Sequence, residues 1–433
     1  MEKFLAAAVL VVNLFFFSTA DAQIKTFSAT AEEIFSEFET EEVIKLRTRD
    51  KAIKIASAAA IDDFKKIFGN VLTDDEISAI IFNAYVLDEV QYNLNGKSCS
   101  ATINFKIDDA EAKNFLRRTD REKFTLINQT LEQEKIFAAN DERAVKLREC
   151  AANVKKREEK KFFKAEFAYV VNEFLSNRKV AAGNRYFYRG RNNDALTVYK
   201  EATELNEYNE TAYNQRGNLY NVFALNEKNI PVADTNRRQS INDLDKAIRL
   251  DNNYAEAFSN RGFVYLGTKL FGQAVKDFNR AIHLAPNNPW NYIYRAQCNR
   301  ATDRDTALAD FNKAVELAPN EVYVYSERGN FFEDELKDFS RALEDFTRAI
   351  EVDKHGNSSA LNFYNRAGVY RKLNMTGRAI DDYTRAISLM ESQTQKNPLL
   401  PWVYRKRGEC YQALGDGAQA QADFKKFADL QRR

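Results

Sequence analysis

Helix-breaking residues are scarce in this chain of 433 residues, which holds 15 glycines and 6 prolines, about 5% of the total. An average protein carries about 12% of the two together. An all-β fold of many short strands needs more turn residues than this. Histidine is nearly absent, with only His283 and His355, and the four cysteines are Cys99, Cys150, Cys298 and Cys410. No two of these six residues lie within ten positions of each other. Zinc fingers, CxxC redox pairs and HExxH sites are therefore excluded, and no metal or cofactor is expected. An excess of charge is also missing: 64 bases face 63 acids, a formal net charge of +1. Such a balance gives no global attraction for nucleic acid or an anionic membrane. What the chain does have is 44% hydrophobic and 12% aromatic residues, which excludes a wholly disordered polymer.

The N-terminus has the form of an export signal. Lys3 precedes an apolar run from Phe4 to Phe17, broken only by Asn13, and Ala20 and Ala22 follow as the small pair of a cleavage site. Residues 1–22 are expected to be a signal peptide that sends the protein to a periplasmic or secreted location. An uncleaved anchor is the alternative, but the run falls short of the roughly 20 residues of a membrane span. No second long apolar segment follows, so no membrane span is expected once the signal is removed. Asn-x-Ser/Thr sequons at Asn128, Asn209, Asn357 and Asn374 would matter only in a eukaryotic secretory host.

After residue 182, where the other 13 glycines and all six prolines lie, the sequence repeats itself. The clearest unit reads Ala257-Phe258-Ser259-Asn260-Arg261-Gly262-Phe263-Val264-Tyr265, then Ala274, Asp277-Phe278, Ala281 and Pro286. This resembles the tetratricopeptide repeat (TPR), two antiparallel helices that place small and aromatic residues in that order. An arginine recurs before the small residue at Arg216, Arg261, Arg295, Arg328, Arg366 and Arg407. An aromatic stands three residues earlier at Tyr213, Phe258, Tyr292, Tyr325, Phe363 and Tyr404. The second-helix signature runs Asp243-Leu244, Asp277-Phe278, Asp310-Phe311, Asp345-Phe346, Asp382-Tyr383 and Asp423-Phe424. An earlier unit (Gly183, Tyr186, Gly190, Ala195, Tyr199, Ala202) matches without the Arg or Asp. The fold expected is mainly α: a TPR solenoid of about seven helix pairs over residues 179–433, with extra residues near 224–238 between the helices of the Arg216 unit.

The arginines and aspartates form either a ladder of binding charges or structural ion pairs between helices. A charge that tracks the packing period is explained more simply by packing, which favours pairs built from Arg261, Asp277, Arg295, Asp310, Arg328, Asp345, Arg366 and Asp382. The resemblance implies that peptide partners lie in a groove lined by the concave face of the first helices. The positions expected there are Asn218, Phe263, Trp290, Gln297, Arg300, Tyr323, Asn330, Tyr364, Arg371 and Trp402. Trp290 and Trp402 are the only tryptophans; each follows a proline at the same point of its unit, where packing on the neighbouring unit competes with partner binding. Cys298 and Cys410 occupy equivalent places three units apart, too far for a disulfide, and read as small buried thiols. Phe427 replaces the small residue of the last second helix, which implies a closing face.

Residues 23–118 do not repeat. A strand near 25–30, an amphipathic helix over 43–68 with Ile44, Ala52, Ile55, Ala59, Phe64 and Ile67 inward, and a capping box at Thr73–Glu76 lead into a hairpin. Val90 and Tyr92 alternate into Asn95-Gly96, and Cys99, Ala101, Ile103, Phe105 and Ile107 alternate out. These elements make a small α+β domain, with Asp74, Asp75 and Glu76 assigned to capping rather than to a metal. Arg49–Ile53, Leu72–Ile77 and Cys99–Ile107 resemble the small N-terminal domain of flagellar assembly protein T and related lipoproteins, which implies an envelope role and no catalytic residue. Residues 119–178 read as a helical connector, and the basic run Lys155–Lys161 as a solvated helix face.

With no nucleophile–base pair, phosphate loop or metal cluster in view, an enzyme is the least supported class. The expectation is an exported scaffold that binds protein or peptide partners, not nucleic acid, in a cell-envelope assembly. A carrier of cell-wall or polysaccharide ligands, held by the groove aromatics, is the second reading.

Overall fold

The computed structural model describes residues 26–34, 40–68, 73–87, 90–95, 98–107, parts of 126–146, 157–353, 359–392 and 397–432. The signal peptide, Gly69, Gly96, Cys150, His355, Asn128 and Asn357 lie outside the described residues, as do the side chains of the 155–161 basic run. The chain forms two compact units, Met1–Leu219 and Tyr220–Arg433.

In the first unit, strands β1 (Thr26–Ile34), β2 (Tyr85–Leu87), β3 (Gln91–Asn95) and β4 (Ser98–Ile107) form one antiparallel sheet. β4 is central: β1 pairs along one edge, and β3 and β2 share the other. Alternation splits the two faces. Phe27, Ala29, Ala31, Cys99, Ala101 and Ile103 point into the core, while Ser28 bonds Asn104 and Thr30 meets Thr102 on the opposite side. The hairpin register Asn95↔Ser98 leaves two residues for the turn.

Helix α1 (Glu41–Phe68) lies on the apolar face. Its buried stripe is Ile44, Thr48, Ala52, Ala56 and Ala60, whereas Ile55 is 48% exposed and Ala59 is also exposed. Ile44, Ala52 and Phe64 face the core as expected, whereas Ile55 and Ala59 are one residue out of phase with Ala56 and Ala60; alanines at spacing four make the contact because they let the helix approach the sheet closely. The capping box opens α2 (Asp74–Ala84): Glu76 N–H donates to Thr73 Oγ1 at 3.2 Å, and Thr73 N–H donates to Glu76 Oε2 at 2.8 Å. Residues 126–146 are helical wherever they are described. Helix α3 (Arg157–Tyr188) then runs unbroken from the connector into the first repeat, where α4 (Asn192–Leu205) packs on it. Asp50 of α1 holds Arg178 of α3 at 2.9 Å, beside Phe174, which the guanidinium groups of Arg47 and Arg178 approach.

Helix α5 (Glu210–Asn226) contains the unit boundary. From there the pairs are α5/α6 (Ile230–Leu250), α7/α8 (Ala255–Gly267, Phe271–Leu284), α9/α10 (Pro289–Asn299, Arg304–Leu317), α11/α12 (Val322–Phe331, Phe339–Val352), α13/α14 (Ser359–Lys372, Thr376–Glu391) and α15/α16 (Leu400–Ala413, Gly417–Gln431). With α3/α4 this makes seven pairs. The extra residues of the Arg216 unit do not form a loop. They lengthen α5 and α6 to 17 and 21 residues, with Pro231 in the first turn of α6. A π-helical turn, Phe332–Leu336, ends α11 and closes on Lys337 in the left-handed region (φ 54°).

Helix pairing depends on small residues. At Gly262, Gly329 and Gly408 an added Cβ would stand within 2.9 Å of the ring of Phe278, Phe346 or Phe424. Ala296 and Ala367, fully buried, hold the same place in their units.

Candidate partner-binding face

The recurring arginines and aspartates form one motif. Nε and one terminal nitrogen of Arg261, Arg295, Arg328, Arg366 and Arg407 grip both oxygens of Asp277, Asp310, Asp345, Asp382 and Asp423, at 2.6–2.9 Å. The remaining terminal nitrogen reaches the second helix of the preceding unit, at Asp245, Asn279, Asn312, Thr347 and Thr384 respectively. In the first unit Arg216 reaches Thr203 of α4 in the same way. The recurring aromatic supports the guanidinium, as with Arg261 over Phe258 and Arg366 over Phe363. Each arginine thus staples three helices. The aspartates are nearly enclosed, Asp345 at 5% exposure, and burial pushes the Asp345 carboxyl up although Arg328 pulls it down. These charges are consumed by the stack and are not offered to a partner.

The groove candidates meet one another between successive first helices. Phe263 lies 5.0 Å from Tyr294. Trp290 is only 5% exposed, covered by Tyr323 at 5.6 Å, so it is packing rather than an accessible anchor. Gln297 donates to Tyr323 Oη (3.1 Å) and Glu327 Oε2 (2.7 Å). Arg300 pairs with Glu335 and Asp334 of the π turn, and Lys372 with Glu333 on the turn's other side. Asn330 accepts from Asn365 at 3.2 Å, Tyr364 lies 5.8 Å from Tyr383, and Arg371 pairs with Glu409, which also takes Arg405 and Lys406. Asn218 is half-buried in the first unit.

Sequence reasoning missed the acids here. Glu327, Glu333, Glu335 and Glu409 sit at positions that vary between units, so no recurrence marks them. Burial pushes the Glu327 carboxyl up, against the pull of the Gln297 hydrogen bond. A carboxyl raised in the folded state carries a penalty above that raised pKa, and the penalty fades as pH falls toward the unfolded value. Glu327→Gln is therefore expected to raise the melting temperature at neutral pH, with the advantage vanishing near pH 4, as thermal scans across pH would show.

Two apolar side chains on this face stay open: Trp402, 42% exposed over Phe427, and Leu361, 49% exposed at the same repeat position one unit earlier. Cys99, Cys298 and Cys410 are buried free thiols, with Cys298 pushed up to about 12 by burial. His283 is exposed.

Comparison with known proteins bears on the same helix pairs. Residues 183–221 match a TPR repeat family model, and residues 255–288 match the tetratricopeptide repeat model. The helix-pair array is a tetratricopeptide-repeat solenoid. Human RNA polymerase II-associated protein 3 is 29% identical over 206 residues, which cover 48% of this chain and 26% of that protein. This chain thus spans about a quarter of that relative. Among solved structures, a tetratricopeptide repeat protein from Parabacteroides merdae is 16% identical, covering 57% of this chain and 94% of its own (TM-score 0.40). The first TPR of Spaghetti bound to an HSP90 peptide is 23% identical, covering 29% and 91% (TM-score 0.26). None of these matches shows the likeness of residues 23–118 to flagellar assembly protein T. The TPR array is a scaffold for protein–protein interaction. Among the described residues no helix is long and apolar enough to cross a membrane.

Proposed function

We propose that this chain is an exported scaffold of a cell-envelope assembly that holds a protein or peptide partner on its first-helix face through apolar rather than ionic contacts. One observation carries the binding mode: Arg300, Arg371, Lys372, Arg405 and Lys406 are each paired with an acid, while Leu361 and Trp402 remain open. An acidic peptide would have to break those pairs; an apolar or aromatic side chain finds Trp402 available. Export rests on the N-terminal signal sequence.

Affinity capture from an envelope extract, wild type against Leu361→Ala/Trp402→Ala, tests the binding mode. The double variant is expected to lose at least about tenfold in affinity, consistent with about 2 kcal/mol for a hot-spot aromatic. Raising salt should change wild-type capture little. A partner released by salt but retained by the double variant would overturn the reading, and capture of a glycan alone would establish the carrier instead. Residues 1–22 fused to a reporter active only outside the cytosol test export separately: no activity would remove the envelope assignment.

A further inference from the structure

Among the described residues of Tyr220–Arg433, nine large apolar side chains stand exposed, and seven of them lie on one edge of the stack, at the turns inside the helix pairs. Five are gathered at the first two of these turns: Leu225, Ile230 and Val232 between α5 and α6, and Leu270 and Phe271 between α7 and α8. The first turn projects. Counted from the repeat glycine (Gly217, Gly262), α5 runs four residues farther than α7; counted back from Leu244 and Phe278, α6 begins seven residues earlier than α8. At 1.5 Å per residue the tip stands about 6–10 Å beyond the neighbouring turn. The extension buries Ala224 and Ala233 but turns its larger aliphatic side chains outward, with Ile230 at 71% exposure. Folding does not call for the apolar residues of the second turn either. Asp303, Asp338 and Asp416 open α10, α12 and α16 as side-chain caps, each accepting an N–H of the first helical turn. Leu270 holds that place before α8, forms no cap and is exposed. Lys269 beside it stands in the left-handed region (φ 61°), where Gly190 and Gly415 end other first helices.

The available charge around these two turns has one sign. Lys228, Arg238, Lys269 and Lys276 are exposed and in no ion pair among the described residues, whereas Glu227 accepts the Asn229 N–H at 2.8 Å and Asp234 holds Arg237 at 2.6 Å. We infer that the edge built by the α5–α6 and α7–α8 turns is a docking surface for an anionic lipid membrane, with Ile230 and Phe271 entering the headgroup region and the four bases meeting lipid phosphates. A projecting apolar tip flanked by unpaired bases suits a bilayer interface. Five side chains are far fewer than the roughly 20 residues a side of a stable protein interface. The attraction is local, and the net charge of +1 over the whole chain conceals it. The inference goes beyond the partner face, because Leu361 and Trp402 lie on the first helices and take no part in it.

The test is co-sedimentation of the full chain with vesicles of phosphatidylcholine alone and of an equal mixture of phosphatidylcholine and phosphatidylglycerol. Wild type is expected to prefer the mixed vesicles, with binding that weakens as salt is raised. Ile230→Ser/Phe271→Ser and Lys228→Glu/Lys269→Glu are each expected to bind them at least about tenfold more weakly. Leu270→Asp separates docking from folding: it restores the cap and should raise the melting temperature while it weakens vesicle binding. A second readout locates the contact, since brominated lipid should quench the Ile230→Trp chain beyond the quenching of wild type. The N-terminal apolar run is the same in every chain, so differences between them report the edge. Variants that bind as wild type does, or an Ile230→Trp chain quenched no more than wild type, would overturn the inference. Self-association without vesicles, lost in Ile230→Ser/Phe271→Ser, would assign the edge to a second copy and overturn it as well. Failure of the Leu361/Trp402 capture leaves this test untouched, because it addresses different residues and a different ligand.

Discussion

Arg328→Ala is expected to destabilise the unit Tyr220–Arg433 by about 3 kcal/mol or more, the cost of leaving one partner of a buried ion pair uncompensated. Truncation strips both oxygens of Asp345, 5% exposed, of their guanidinium partner, and leaves Asn312 without its donor. It also removes the charge resting near Phe332. In a stack where each unit touches only its neighbours, the damage concentrates where α9/α10 meets α11/α12. Chemical denaturation of wild type and variant measures the loss. Arg328→Lys should recover little, because an ammonium cannot reproduce the two-pronged contact and the third link together. Arg328→Met with Asp345→Leu should recover most of it, since removing both charges removes the desolvation cost. The pH dependence has a definite sign. Burial already raises the Asp345 carboxyl, and without Arg328 it rises further. The deficit of Arg328→Ala is then full above that pKa and shrinks on acidification, as the native state takes up a proton before the unfolded chain does. A variant as stable as wild type at neutral pH would show that the staple fixes register without adding stability.

That staple also shows where sequence reading stops. The arginine, its aspartate and its aromatic were legible because each demands one residue type at one repeat position. The third contact was not: Asp245, Asn279, Asn312, Thr347 and Thr384 share only an acceptor oxygen, and three residue types at one position carry no recurring letter. Trp290 and Trp402 illustrate the converse. Their letters and repeat positions agree, yet Tyr323 buries one and Phe427 leaves the other half open. Burial on a solenoid belongs to the neighbouring unit, which the residue's own repeat does not encode. The π turn was invisible for a related reason, since Glu333, Asp334 and Glu335 read as ordinary surface acids until Arg300 and Lys372 close on them. In α1 one strong hydrophobe misled: Ile44 and Phe64 do face the core, but Ile55 faces solvent, and the small Ala56 takes the inner position that close sheet packing requires.

The second large effect concerns the crossing of α11 and α12, where Phe346 is fully buried among Phe332, Ala342 and Val369. Phe346→Ala is expected to cost about 3–5 kcal/mol, the transfer term plus the cavity term of a buried aromatic. Gly329→Ala alone should cost about 1–3 kcal/mol by overpacking, because its new methyl would stand 2.9 Å from the Phe346 ring edge. The double variant is the informative member. The alanine methyl enters the space that the ring vacates, so the combined loss should fall short of the sum by more than about 0.5 kcal/mol, beyond the usual additivity error. The chain holds its own control at the equivalent crossing of α13 and α14: Ala367 and Tyr383 are both buried in one apolar cluster, so a helix pair can be built around a methyl and a ring. There the backbones are set for the methyl; at Gly329 they are set for hydrogen, and one substitution does not move them. Unfolding free energies of the three variants complete the cycle. Strict additivity would mean that the glycine's role lies in the helix backbone rather than in its contact with the ring, and the spacing of small and aromatic residues would need another physical cause.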